Sequence, residues 1–189
     1  KLLGLNEDNI SVSDYGGVLT SGMANINITG EIQLNLALFK AISDELPNKM
    51  LLILQRGVYI ETKNDNGLTP LLLAFQKNCW QELADILIHD YRANVDAQNS
   101  QGLKLLHIYA QLGDITKLNY LLDNFAEVDT PDNDGNTALH HAAFKGHMEI
   151  VRSLIEYGAT LDVLNKDGKP PIFYVKEINK SLLIYLQEQ

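Results

Sequence analysis

Apolar residues recur along this chain in short bursts with helical spacing, and polar runs interrupt the bursts at an almost constant interval. The interruptions are Asn64-Asp65-Asn66-Gly67, Asn99-Ser100-Gln101-Gly102, Asp132-Asn133-Asp134-Gly135 and Asn165-Lys166-Asp167-Gly168, whose glycines lie 35, 33 and 33 residues apart. Each reads as a tight turn in which Asn or Asp bonds its own backbone and Gly supplies a positive φ. Two residues after each Gly a helical pattern starts. Thr69-Pro70-Leu71 and Thr137-Ala138-Leu139 open two of these helices, with Thr as N-cap and Pro70 at the first helical position, where a missing N–H is harmless. Leu71 and Ala74, then Leu139, Ala142 and Ala143, make a narrow apolar stripe whose small side chains let neighbouring helices approach.

A second helix follows within each unit. It is clearest over residues 148–157, where Ile150, Val151, Leu154 and Ile155 share one face and Gly158 suits the left-handed residue that ends a helix. Leu118, Leu121 and Leu122 repeat that face one unit earlier, and Leu83, Ile86 and Leu87 one unit before that. Such a unit cannot bury its apolar face alone, whereas stacked units can. The expected fold is an all-α solenoid of four to five helix-turn-helix repeats with short β-turn tips, over 34–63, 64–98, 99–131 and 132–164, with 165–189 as a cap.

The irregularities are informative too. The first unit lacks the Gly turn and the Thr-Pro start; Leu38-Phe39 and Ala41-Ile42 supply its first helix and residues 47–55 its second. Two extra residues near Ile88 to Tyr91 predict a bulge, and Arg92 and Phe125 stand where Gly57 and Gly158 end the corresponding helices. Pro170-Pro171-Ile172-Phe173-Tyr174 and residues 181–186 form the truncated cap. Residues 1–33 do not fit the period: residues 10–20, around Asp14-Tyr15-Gly16-Gly17, suit a β-hairpin, or the segment is the tail of an upstream domain.

Gly135-Asn136-Thr137-Ala138-Leu139-His140-His141-Ala142-Ala143, followed by Gly146-His147, Ile150-Val151, Leu154-Ile155 and Gly158-Ala159, resembles a nearly complete ankyrin repeat. The resemblance covers residues 34–189, with Lys104-Leu105-Leu106-His107 replacing the Thr-Pro-Leu-His that the family prefers. It implies a binding module whose turn tips and first helices line a concave face. The exposed slots it implies are Asp65, Asn66, Leu68, Gln76 and Lys77; Ser100, Gln101, Leu103, Gln111 and Leu112; and Asn133, Asp134, Asn136, Phe144 and Lys145. It also implies that His107, His140 and His147 hydrogen-bond backbone between repeats, which leaves His141 as the more exposed histidine and a further binding residue. Leu68, Leu103 and Phe144 would together form an apolar centre with a polar rim, or else be singly exposed apolar residues of no consequence.

Composition narrows the partner. With 15 Lys and Arg against 24 Asp and Glu, the net charge of −9 repels phosphate backbones and anionic lipid and suits a basic partner. Asp123, Glu127, Asp129, Asp132 and Asp134 lie between Lys117 and Lys145 with no basic residue among them, as either a site for a basic patch or a solvated edge. One cysteine, Cys79, forbids an internal disulfide and suits a cytoplasmic setting. No apolar run approaches a membrane span, residues 1–5 do not read as a signal peptide, and a start at Lys1 suggests a piece of a longer protein. Seventeen Asn with abundant Ile suit an AT-rich genome, such as that of an intracellular bacterium secreting effectors into host cytosol.

Catalysis is not expected. The histidines have no Cys or carboxylate at ligand spacing, so neither a metal nor another cofactor is expected. Cys79 beside Trp80 reads as a buried, inert thiol, and Gly16-Gly17 and Gly22 lack the Lys and Ser/Thr of a phosphate loop. The expected function is protein–protein interaction; the alternative is the non-catalytic targeting or regulatory segment of a larger enzyme or effector.

Overall fold

The computed structural model describes residues 23–175, with side chains from 30 to 174. Nine helices follow one another within it: α1 Met23–Ser43, α2 Pro47–Leu54, α3 Pro70–Ala74, α4 Trp80–Asp85, α5 Leu105–Leu112, α6 Ile115–Asp123, α7 Ala138–Lys145, α8 Met148–Glu156 and α9 Pro171–Val175. They form an all-α stack of helix pairs, and no strand occurs among the described residues. The first helices of the pairs pack side by side, α1 on α3, α5 on α7 and α7 on α9, while α6 packs on α8 in a second layer. Between the layers Leu38, Ile42, Ile53, Leu71, Leu83, Leu118, Leu121, Leu139, Ile150 and Leu154 are wholly or almost wholly buried. Each such side chain contributes about 1.5–3 kcal/mol by leaving water.

The turn tips form as the polar runs predict, by one repeated device. Asn64 Oδ1 accepts from the N–H groups of Asn66 and Leu68, Asn99 Oδ1 from Gln101 and Leu103, Asp132 Oδ1 from Asp134 and Asn136, and Asn165 Oδ1 from Asp167 and Lys169. Gly67, Gly102, Gly135 and Gly168 all have φ between +69° and +81°. At Gly135 the reason is also steric: a Cβ there would lie 3.0 Å from Lys166 N and 3.1 Å from Asn165 Cα, so the next tip leaves it no room.

Two irregularities resolve as expected. The extra residues after α4 are absorbed by a π-helical turn, Ile86–Asp90, whose wider turn takes in one more residue than an α-helical one. Arg92 and Phe125 adopt φ of +60° and +64°, the left-handed conformation that Gly57 and Gly158 adopt at the ends of α2 and α8. The N-terminal boundary differs. The division drawn between residues 33 and 34 falls inside α1, which starts at Met23. With no Pro and only Gly30 among residues 23–43, nothing breaks the helix before the repeat begins. The hairpin expected over residues 10–20 and the second half of the cap, residues 181–186, lie outside the described residues.

Candidate functional site

The site expected from the sequence is the face made by the tips and by the ends of the first helices. At the tips Asp65, Asn66, Ser100, Gln101, Asn133 and Asp134 are exposed, as the turn geometry requires. The later tips are tied to one another: the Asn133 side chain donates through Nδ2 to the Gln101 carbonyl at 3.1 Å, and Lys166 N–H donates to the Asp134 carbonyl at 3.0 Å. At the helix ends Gln76, Gln111, Leu112, Phe144 and Lys145 are exposed and Lys77 half-buried. The 33-residue register aligns Gln111 with Phe144 and Leu112 with Lys145 on the neighbouring helices α5 and α7.

Four residues sit differently from expectation. Leu68 is half-buried and packs against the core, and Leu103 is also half-buried, so these two do not join Phe144 in an exposed apolar centre. Asn136 is half-buried, its Oδ1 accepting from Asn165 Nδ2 at 2.9 Å. His141 is more exposed than His140 but is not free: its Nε2 lies 2.8 Å from Asp132 Oδ2 and its ring stacks edge-on at 5.7 Å from His107. The exposed apolar residues of this face are instead Leu112 (66% exposed) and Phe144 (56%). Phe144 meets Tyr174 edge-on at 5.7 Å, and Tyr174 meets Phe173 at 5.4 Å. Sequence reasoning missed that row. The signal was the alignment of Tyr174 with His141, one period earlier, on the side of the stack where Phe144 lies.

The other histidines join repeats. His107 Nδ1 accepts from Lys104 N–H at 3.1 Å while its Nε2–H donates to the Thr130 carbonyl at 2.8 Å; His140 does the same between Thr137 N–H and the Lys169 carbonyl. These bonds require the neutral ring protonated at Nε2. Burial pushes both rings below the ordinary histidine value, more than the carbonyl bonds raise them. His147 Nε2 reaches the Gln111 carbonyl at 3.2 Å, and a Cβ on Gly113 would come within 2.9 Å of that ring.

The acidic residues are engaged in the same way. Glu61 accepts from Asn94 N–H, Asp96 from Glu127 N–H and Asp129 from Thr160 N–H, one repeat onward each time. Asp85 accepts from the Tyr120 hydroxyl and Asp123 from the Tyr157 hydroxyl. Burial alone would raise the Asp132 carboxyl, but hydrogen bonds from His141 and from the Asn136 and Asp134 N–H groups outweigh it and hold the group below its ordinary value. Lys104 is nearly buried, its Nζ 3.3 Å from Asp96 and 3.8 Å from Glu127.

Stacked helix pairs with Asx-clamped tips and histidines bonding the next tip decide the family, and a family model described as ankyrin repeats (3 copies) matches residues 20–132 and 106–177. The chain belongs to the ankyrin-repeat family. Comparison with curated proteins finds no match. Among the described residues of this ankyrin stack no three His, Cys, Asp or Glu side chains are grouped as metal ligands would be, and no helix is long and apolar enough to cross a membrane. Cys79 is half-buried, at the N-cap of α4, rather than fully buried. Partial burial and the neighbouring Glu45 carboxylate push its thiol up, away from the thiolate a nucleophile needs.

Proposed function

We propose that this ankyrin stack binds a partner protein on the face formed by its tips and the ends of α3, α5 and α7, and that it performs no reaction itself. One contrast carries the reading. Glu61, Asp96 and Asp129 are spent on hydrogen bonds to the next repeat, whereas Gln76, Lys77 and Gln111 have no side-chain hydrogen bond among the described residues and stand beside exposed Leu112 and Phe144. An apolar pair within a polar rim is the composition of a protein interface. The family's interaction role supports the same conclusion. The same face serves a chain that stands alone, one that forms the targeting segment of a larger enzyme, or a secreted effector working in host cytosol. A basic partner patch draws less support than the acidic run suggests, because Asp123, Asp129 and Asp132 are occupied inside the stack.

The test is capture from lysate by three versions of the full chain: unaltered, Leu112→Glu with Phe144→Glu, and Thr116→Glu on exposed α6 as control. All three should give the same urea transition, since none of the side chains is buried. A partner retained by the first and third and lost by the second is the expected result. Equal recovery by all three would move binding off this face.

A further inference from the structure

The candidate face is not uniform: its C-terminal end carries a row of aromatic rings closed at both ends by lysine. Lys145 Nζ lies 5.7 Å from the centre of the Phe144 ring, Phe144 meets Tyr174, Tyr174 meets Phe173, and Lys169 Nζ lies 4.8 Å from the centre of the Phe173 ring. Phe144 and Phe173 remain 56% and 48% exposed. The middle ring is fixed by the scaffold, since Asn165 Nδ2 donates to the Tyr174 hydroxyl at 2.9 Å while Asn165 Oδ1 holds the tip. The row is therefore presented on a rigid base.

Its charge is opposite to that of the chain as a whole. Among the described residues Lys145 forms no ion pair, and Lys169 pairs only with the exposed Asp167, at 4.0 Å. An exposed pair at that distance is worth little. Screening over about 8 Å at physiological ionic strength mutes the carboxylates that lie farther off. A ligand on this row meets two ammonium groups and two partly exposed rings.

We propose that this row is the docking site for an acidic peptide segment of the partner, with an aromatic or aliphatic side chain seated on Phe144 and Phe173 and flanking Asp or Glu on Lys145 and Lys169. The inference rests on the binding role proposed above and adds the chemistry of the partner. Charge complementarity carries it: a basic segment would meet both lysines as like charges, and an uncharged one would leave them unused. A nucleic acid, unlike a short peptide, would extend beyond the two lysines over a chain of net charge −9, which repels its backbone.

The experiment is a selection of random displayed peptides on the full chain, in parallel with Lys145→Glu/Lys169→Glu and with Phe144→Ala. All three positions lie outside the core, so the variants keep the fold, and the urea transition checks this. Enriched peptides should carry more Asp and Glu than Lys and Arg around one aromatic or Leu residue. The strongest of them, synthesised, should bind at least about tenfold more weakly to the charge-reversed chain and to Phe144→Ala, and should weaken with salt. The charge-reversed chain should select basic peptides instead. Enrichment of basic or uncharged peptides on the unaltered chain, acidic peptides indifferent to both variants, or no enrichment above bare support would each overturn the proposal. Peptides lost on Leu112→Glu but indifferent to the lysines would overturn it while leaving the binding face intact, and the capture experiment judges that face independently.

Discussion

The junction between the second and third repeats and the junction between the third and fourth are built on opposite principles. In the latter, helix α5 packs on α7, where Ala142 and Ala143 are both fully buried, and the seam is closed by His147 on the Gln111 carbonyl. In the former, Phe75, Trp80, Tyr109 and Tyr120 form one cluster with ring centres 5.1–5.9 Å apart, roofed by Lys117, whose Nζ lies 4.9 Å from the Tyr109 ring centre. The Phe75 carbonyl, free at the end of α3, accepts from both the Tyr109 hydroxyl at 2.8 Å and Lys117 Nζ at 3.0 Å. Burial pushes the Tyr109 phenol well up, so it stays a donor. Close backbone approach and aromatic filling are thus alternative ways to close the same 33-residue joint, and they fail differently.

The largest expected effect separates the two modes. Phe75→Ala, at a fully buried ring touching three others, should cost about 3–5 kcal/mol. It should also split the single urea transition, because a stack is held by its neighbour interfaces. The same truncation is unavailable where the residue is already Ala; there the damaging change is growth, and Ala142→Leu should cost about 1–3 kcal/mol by forcing α5 and α7 apart. A Phe75→Ala chain that unfolds in one step at the unaltered midpoint would remove the aromatic cluster from the account of stability.

Acid should sharpen the contrast, because His107 and His140 belong to the third and fourth repeats and no histidine joins the aromatic cluster. Both rings are lowered from the ordinary value of 6.5 by burial. Below that value the unfolded chain binds protons that the folded rings still refuse, so stability falls as pH drops from about 6.5 toward their folded values and is complete above 6.5. The depressed Asp132 carboxyl adds a separate loss at lower pH, as pH falls through the acid range below its ordinary 3.8. Urea midpoints compared at about pH 7.5 and 5.5 should be lower at the acid value. His107→Ala should flatten that difference while costing about 1–3 kcal/mol at neutral pH, since it orphans a buried N–H at Lys104. An unchanged pH dependence in His107→Ala would show that the ring titrates alike in both states.

Most of this architecture was legible in the chain, for a physical reason: a repeated unit writes its turn chemistry several times over. The tips around Asn64, Asn99, Asp132 and Asn165 and the bulge after α4 follow from residues compared one period apart, and the structural use of His107, His140 and His147 from the resemblance to ankyrin repeats. What stayed hidden depends on neighbours that no period reveals. Leu68 occupies a slot held by Asn136 and Lys169 in the later repeats yet turns onto the core, and Asp132 serves its own tip with one oxygen and His141 with the other. The acidic run, read along the sequence as a basic-patch site or a solvated edge, also has partners that no period reveals. In the stack Asp123 and Asp129 each accept a hydrogen bond from the following repeat.

A smaller effect probes the second layer, where Tyr120 spans the aromatic junction to Asp85 and Tyr157 spans the small-residue junction to Asp123. Tyr120→Phe should cost about 0.5–1.5 kcal/mol by removing a half-buried hydrogen bond while keeping the ring in its cluster. Tyr157→Phe, on an exposed pair, should cost less. If the two were equal, or Tyr157→Phe the greater, the aromatic junction would have no particular dependence on its hydroxyls.

The smallest effect runs in the opposite direction. Phe125, at φ +64°, is 91% exposed, so its ring contributes almost no burial while its Cβ resists the left-handed backbone. Phe125→Gly removes a penalty of about 1–2 kcal/mol and returns part of it as unfolded-chain entropy, leaving a net gain of about 0.5–1 kcal/mol. Arg92, at φ +60° after the π-helical turn, presents the same backbone problem, and Arg92→Gly should gain a similar amount if the turn itself is unstrained. Should Phe125→Gly raise the urea midpoint while Arg92→Gly lowers it, the arginine side chain would be contributing contacts at the aromatic junction that its exposed position does not suggest. Equal gains would mean that both junctions tolerate the same substitution of the helix-ending glycine, and that their difference lies wholly in the rings and alanines between them.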